Sequence, residues 1–144
     1  QINFTYVNYN QVIHLKNQEI ADKILVSPTQ YDLWHELVNS DICISIPSYD
    51  GLSNTVLESL ALGNYLILSD LNSYGFLKNK KFLGDLMKIE QNYEKNVQSL
   101  YFLIEKSIKN IFFIRSKSQE RRKFIKKIFL NKTNFEYMID IIKR

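Results

Sequence analysis

The sequence predicts an α/β fold in which helices cover both faces of a parallel sheet. Three apolar runs carry this expectation: Ile24-Leu25-Val26, Ile42-Cys43-Ile44 and Tyr65-Leu66-Ile67-Leu68. None of them alternates with polar residues, and strands buried on both faces read in this way. Segments with helical periodicity separate the runs, and strand–helix alternation is the signature of a parallel sheet. The 144 residues, 45% hydrophobic and 24% charged, suffice for one cored domain, and neither a repeat nor a long Pro/Gly/Ser-rich linker divides them.

Each element follows from local chemistry. Ile2 to Val7 is rich in β-branched and aromatic residues and reads as a strand. Gln11 to Ala21 is weakly helical, with Val12, Leu15 and Ile20 as its apolar points. Ile24-Leu25-Val26 stops at Ser27-Pro28, and Thr29 offers an N-cap to a helix from about Gln30 to Asn39. In that helix Tyr31, Trp34 and Val38 recur at helical spacing, widened by Leu33 and Leu37. Asp41 to Ile46 is the next strand, closed by Pro47-Ser48. After the loop Tyr49 to Ser53, Asn54 is suited to cap a helix through Leu62, and Gly63 suits a left-handed C-terminal cap. Tyr65 to Ser69 is again a strand, and Leu86 to Ile89 a further short one. From about Tyr93 onward, in a basic region spanning 93–144, helix is expected with breaks near Phe113 to Ser116 and Asn131 to Asn134.

Composition narrows the function. No apolar run approaches the roughly 20 residues that span a bilayer. The lone Cys43 sits in an apolar run and reads as a buried, inert thiol. Asn3-Phe4-Thr5 and Asn131-Lys132-Thr133 match the glycosylation triplet, but nothing else points to secretion, so the expected compartment is the cytoplasm. His14 and His35 have no nucleophile or second His at useful spacing. From Glu105 to Arg144 there are 12 Lys+Arg against 4 Asp+Glu, whereas the preceding stretch has 7 against 11. Arg121, Arg122, Lys123, Lys126 and Lys127 share a helix with Phe124, Ile125, Ile128 and Phe129. That pattern reads either as an apolar stripe on the sheet with a solvated basic face, or as a contact for anionic lipid. No nucleic-acid-binding motif is present.

The chemistry is expected where a strand feeds a helix at the carboxyl edge of the sheet. The strongest such junction is Pro47-Ser48-Tyr49-Asp50-Gly51-Leu52-Ser53-Asn54-Thr55-Val56-Leu57-Glu58. Gly51 lets backbone approach a ligand, and the amides of Leu52, Ser53, Asn54, Thr55 and Val56 offer an anion-accepting helix start. Asp50 and Glu58 bracket it, and a carboxylate accepts hydrogen bonds from two neighbouring hydroxyls of a sugar or ribose. A phosphate cradle between two hydroxyl-binding carboxylates suits a nucleotide-sugar.

The stretch from Asp41 to Asp70 resembles the donor site of family-4 glycosyltransferases of the GT-B fold, in which two Rossmann-like domains face each other. The likeness rests on Asp41, Pro47, Ser48, Asp50, Gly51, Glu58, Ser59, Leu60, Ala61 and Gly63, with seven residues between the two acids. It implies a Rossmann-like C-terminal, donor-binding domain, with Glu58 on the ribose hydroxyls and Asp50 in the catalytic position against the transferred sugar. Gly51, Leu52, Ser53, Asn54 and Thr55 would bind the diphosphate or sugar, and the base would lie near Ser27 to Thr29. Transfer would retain anomeric configuration and use no metal or other cofactor. The acceptor stays open, with a lipid-linked sugar or a polysaccharide as candidates, and a lipid-linked one would suit a basic helix at the inner membrane face. Two departures stand out: Asp50 replaces the family's Glu, one methylene shorter, and no Arg precedes Arg115, where the family has an Arg and a Lys that neutralise the leaving diphosphate. The resemblance therefore implies that this chain begins at the domain's second strand and lacks the acceptor-binding N-terminal domain. Alone it is expected to bind donor poorly and to catalyse nothing. Two other readings stay open: a non-catalytic binding or scaffold domain of the same fold, and an unrelated flavodoxin-like signalling domain.

Overall fold

The computed structural model describes residues 4–6, 24–26 and 30–129, with side chains from 35 to 128. The chain forms two compact units, Gln1–Asn39 and Ser40–Arg144. In the first, strand β1 (Phe4–Tyr6) pairs in parallel with β2 (Ile24–Val26), with Phe4 opposite Ile24. Helix α1 (Gln30–Asn39) follows, where the apolar spacing predicts it, and Leu37 is buried. The readings for Gln11 to Ala21, for Thr29 and for Asn131 to Asn134 fall outside the described residues.

The second unit is built on a parallel sheet of order β3–β4–β5: β3 (Ile42–Ser45), β4 (Tyr65–Ser69) and β5 (Gly84–Met87). The fold is thus α/β with a parallel sheet and helices, as the apolar runs imply. β4 lies between its neighbours, and all five of its residues are buried. Leu66 and Leu68 join a core with Val56, Leu60, Tyr74, Leu77, Leu83 and Ile125. Ile67 points to the opposite face, because strand side chains alternate, and is equally buried. A strand enclosed on both sides has no need of polar alternation, which is why this segment reads as a continuous apolar run.

Helix α2 (Asn54–Leu62) connects β3 to β4 and packs Val56 and Leu60 into the core. Its start corrects the expectation for Asn54. Ser53 is the capping residue, extended at φ −62° and ψ 132°, and Asn54 is already helical. The carbonyl of Ser53 accepts the first helical bond, from the Leu57 amide at 3.2 Å, so the turn begins one residue earlier than the Asn cap preference suggests. Gly63 ends the helix at φ 92°, and its amide and that of Asn64 bond the carbonyls of Leu60 and Ser59. A Cβ there would also stand 2.2 Å from Ser118 Oγ.

β5 lies two residues earlier than the Leu86 to Ile89 reading. Gly84 sets the register opposite Leu66, so closely that a Cβ would stand 2.2 Å from the Leu66 carbonyl oxygen. A 3-10 segment, Asn72–Leu77, lies between β4 and β5 and buries Tyr74 and Leu77. The C-terminal helices are α3 (Tyr93–Lys109), α4 (Ile111–Ser116) and α5 (Ser118–Phe129). The break expected near Phe113 to Ser116 is corrected, since those residues lie within α4 and the breaks fall at Asn110 and Lys117. At Asn110 the side-chain amide donates to the Lys106 carbonyl at 2.8 Å, beside the Asn110 main-chain amide at 3.2 Å.

α5 packs against α2 and the core through Ile125 and Phe124, and the Phe124 ring meets Phe82 edge-on at 5.8 Å. Arg121 departs from the basic face read from the sequence. It is 1% exposed and donates to the carbonyls of Gly63 at 2.7 Å, Phe82 at 2.9 Å and Ile114. Burial pushes its pKa down to about 10, which leaves it charged at neutral pH. Arg122, Lys123, Lys126 and Lys127 remain exposed. Among the described residues no helix is long and apolar enough to cross a membrane.

Candidate functional site

Because β3 and β4 are parallel, the loop leaving β3 and the 3-10 segment leaving β4 emerge at the same carboxyl edge. Three hydroxyls on the β4 side bind the β3 loop. Ser69 Oγ donates to the Pro47 carbonyl at 2.6 Å, Ser73 Oγ donates to the Asp50 carbonyl at 3.2 Å, and Tyr74 Oη donates to Asp50 Oδ2. Ser69 and Tyr74 are fully buried, and the three partly buried bonds fix the loop against the sheet. The backbone of Ser53 lies near the same Tyr74 hydroxyl. Desolvation first, and then Asp50, push the tyrosine pKa far up, so it remains a neutral donor.

Between Asp50 and Ser53 lie Gly51 and Leu52, both exposed. Gly51 has no heavy atom within 4 Å of where a Cβ would stand, and it does not adopt a positive φ. The fold does not require glycine there on either count. Its absent side chain leaves a loop backbone open to approach from outside. Ser53 makes no side-chain cap, so the hydroxyl does not take up the first-turn amides of α2. Asn54 is exposed, Thr55 is half-buried, and the Thr55 carbonyl accepts from Ser59 Oγ at 2.7 Å.

Glu58 is the fifth of the nine residues of α2, one turn beyond the loop, and is half-buried. Burial raises its pKa. A carboxylate held partly out of water can accept hydrogen bonds from ligand hydroxyls. Asp41 accepts both arms of the Arg115 fork, at 3.0 and 2.8 Å, and its carbonyl accepts from the Tyr65 amide. It therefore ties α4 to the start of β3. Cys43 is half-buried, and desolvation raises its pKa, in keeping with an inert thiol. His35 is exposed near Asn39 and Glu36 on α1. Ser27 to Thr29 and His14 lie outside the described residues. Among the described residues no three His, Cys, Asp or Glu side chains converge as metal ligands would.

Sequence reasoning did not find Ser69, Ser73 and Tyr74. Their role depends on the parallel pairing of β3 with β4, and a serine or tyrosine after an apolar strand carries no local mark of it. Tyr49, next to Asp50, is 91% exposed, the most exposed large apolar side chain among the described residues. That exposure is invisible to composition too. Comparison with protein-family models, curated proteins and solved structures finds no match to this chain.

Proposed function

We propose that this chain is the nucleotide-sugar-binding part of a retaining glycosyltransferase with a Rossmann-like, GT-B-type architecture. The observation that carries the reading is the junction of β3 with α2. An open glycine loop, an uncapped helix start and a half-buried glutamate one turn later follow one another at the carboxyl edge of a parallel sheet. Open α/β sheets bind ligands at this edge, and helix starts favour phosphate. In this reading the amides of Leu52, Ser53, Asn54 and Thr55 receive the diphosphate or sugar. Glu58 accepts from the ribose hydroxyls, and Asp50 meets the transferred sugar. The reaction moves that sugar to a lipid-linked or polysaccharide acceptor at the cytoplasmic membrane face, without a metal ion.

The test is calorimetric titration of the full-length protein with a panel of nucleoside diphosphates and their sugars, comparing wild type with Glu58→Gln. Hydrogen bonds to charged groups contribute about 1.5–3 kcal/mol, so the Gln variant should bind the preferred donor at least about tenfold more weakly. Its thermal stability should stay near that of wild type. Unchanged affinity, or no binding of any nucleotide by wild type, overturns the reading.

One observation favours a second reading, a non-catalytic binding or scaffold domain. Asp50 is one methylene shorter than the family's Glu, and Tyr74 already engages its carboxylate. Donor binding without any sugar transfer by the full-length protein would favour this alternative.

A further inference from the structure

We propose that Tyr74 is a positioning residue that holds the Asp50–Ser53 loop in its ligand-accepting shape. The functional meaning of this inference rests on the reading of the loop as a donor site. The hydroxyl of Tyr74 donates to Asp50 Oδ2 at one end of a four-residue loop and lies near the backbone of Ser53 at the other. Its neighbour Ser73 holds the Asp50 carbonyl, so consecutive residues of one 3-10 segment grip both the side chain and the main chain of Asp50. The Tyr74 ring is 0% exposed and belongs to the core formed by Leu60, Leu66 and Leu68. The grip is thus mounted on the rigid part of the unit, while the loop itself has no packing of its own at Gly51. Without the hydroxyl, the Asp50 side chain loses its anchor, and the following glycine widens the range of shapes open to the loop. The bond also settles which way Asp50 faces. Oδ2 is committed to Tyr74, and among the described residues no hydrogen bond reaches Oδ1, which leaves that oxygen for a hydroxyl of the sugar.

The experiment compares Tyr74→Phe with Tyr65→Phe in the full-length protein. Tyr65 is also buried in this sheet, but its hydroxyl donates to Asp85 at 3.0 Å, so the control removes the same atom away from the loop. Two readouts are taken: amide hydrogen exchange from Asp50 to Asn54 without ligand, and affinity for the preferred nucleotide-sugar. Tyr74→Phe should speed loop exchange and weaken donor binding, each by roughly tenfold, the scale of one hydrogen bond to a charged group. Tyr65→Phe should leave both at wild-type values. Asp50→Ala breaks the same bond from the half-exposed side and should speed loop exchange equally, which keeps the test available if Tyr74→Phe fails to fold. Loop exchange unchanged in both Tyr74→Phe and Asp50→Ala overturns the inference, as does an equal response to Tyr65→Phe. Faster exchange with unchanged donor affinity overturns it too, since Tyr74 would then only stabilise the loop. If wild type binds no nucleotide, the glycosyltransferase reading falls alone, and the exchange measurement still decides whether Tyr74 shapes the loop.

Discussion

Arg121→Met should destabilise the second unit strongly, although methionine fills much of the same space. The guanidinium binds three carbonyls that lie far apart in the chain. They are Gly63 at the end of α2, Phe82 just before β5 and Ile114 in α4. It also lies 5.8 Å from the centre of the Tyr65 ring. The bonds to Gly63 and Ile114 are buried, so their loss leaves acceptors with little access to water, at about 1–3 kcal/mol each. The Ile114 carbonyl keeps a bond from the Lys117 amide at 3.2 Å, and Phe82 is only partly buried, which reduces the sum. Removing a buried cation offsets a further part, because its desolvation cost disappears with it. The net loss should be about 2–4 kcal/mol, or about 8–15 °C in Tm for a chain of this size. Urea unfolding followed by circular dichroism should show a lower midpoint at an unchanged slope. Arg122→Met is the control, since Arg122 is exposed and makes one bond, to the Leu62 carbonyl at 3.0 Å. A Tm for Arg121→Met within about 2 °C of wild type would refute the reasoning, as would equal losses in the two variants.

Burial raises the Glu58 pKa, so the folded state favours its protonated form. The stability this group contributes is full below its unfolded pKa and is lost as pH rises through the folded one. Wild type should therefore gain stability relative to Glu58→Gln as pH falls from about 7 to about 4, as read from the difference between their Tm values. Donor affinity should fall over the same range, because the ionised carboxylate is the acceptor. Gly51→Ala should fold with unchanged or slightly raised stability, by about 0.4–1 kcal/mol, yet weaken donor binding, because the added methyl fills only the space a ligand would use. A loss of stability without a loss of affinity would assign Gly51 to the fold. Changing the exposed Arg122, Lys123, Lys126 and Lys127 to Gln should weaken binding to anionic vesicles, by about 1 kcal/mol per charge at most. Tyr93, Val97 and Tyr101 supply exposed apolar side chains at four-residue spacing on α3, and wild type that ignores such vesicles at low salt would leave the basic face simply solvated.

The elements legible in the sequence are those whose burial is uniform or whose ends carry a special residue. β4 is enclosed on both faces, so all its residues are apolar or small, and Gly63 marks the end of α2 through a backbone angle other residues resist. The bounds of β5 carry no local mark, because its register depends on Gly84 sitting against the Leu66 carbonyl, a contact between strands and not a local preference. The same holds for Arg121. It lies among other cations in the sequence, and nothing in that run separates one arginine that reaches three buried carbonyls from its solvated neighbours.

The site divides along the same line. Residues that would meet a ligand directly are contiguous, from Asp50 to Glu58, because one loop and one helix present them, and such a run shows in the sequence as a motif. The groups that give this run its shape come from the neighbouring strand and the segment after it, at Ser69, Ser73 and Tyr74. Parallel pairing makes this separation unavoidable. Adjacent parallel strands need a crossover between them, so the anchor for a loop at the carboxyl edge comes from a point at least one helix further along the chain. Here Tyr74 stands 24 residues from the aspartate it holds. Asp50 is thereby shaped by a buried tyrosine as well as by its own side-chain length. Replacing it with the longer Glu would have to displace the Tyr74 hydroxyl or move the loop. The shorter acid and the tyrosine are best understood as a pair, and substitutions at either position should be read against the other.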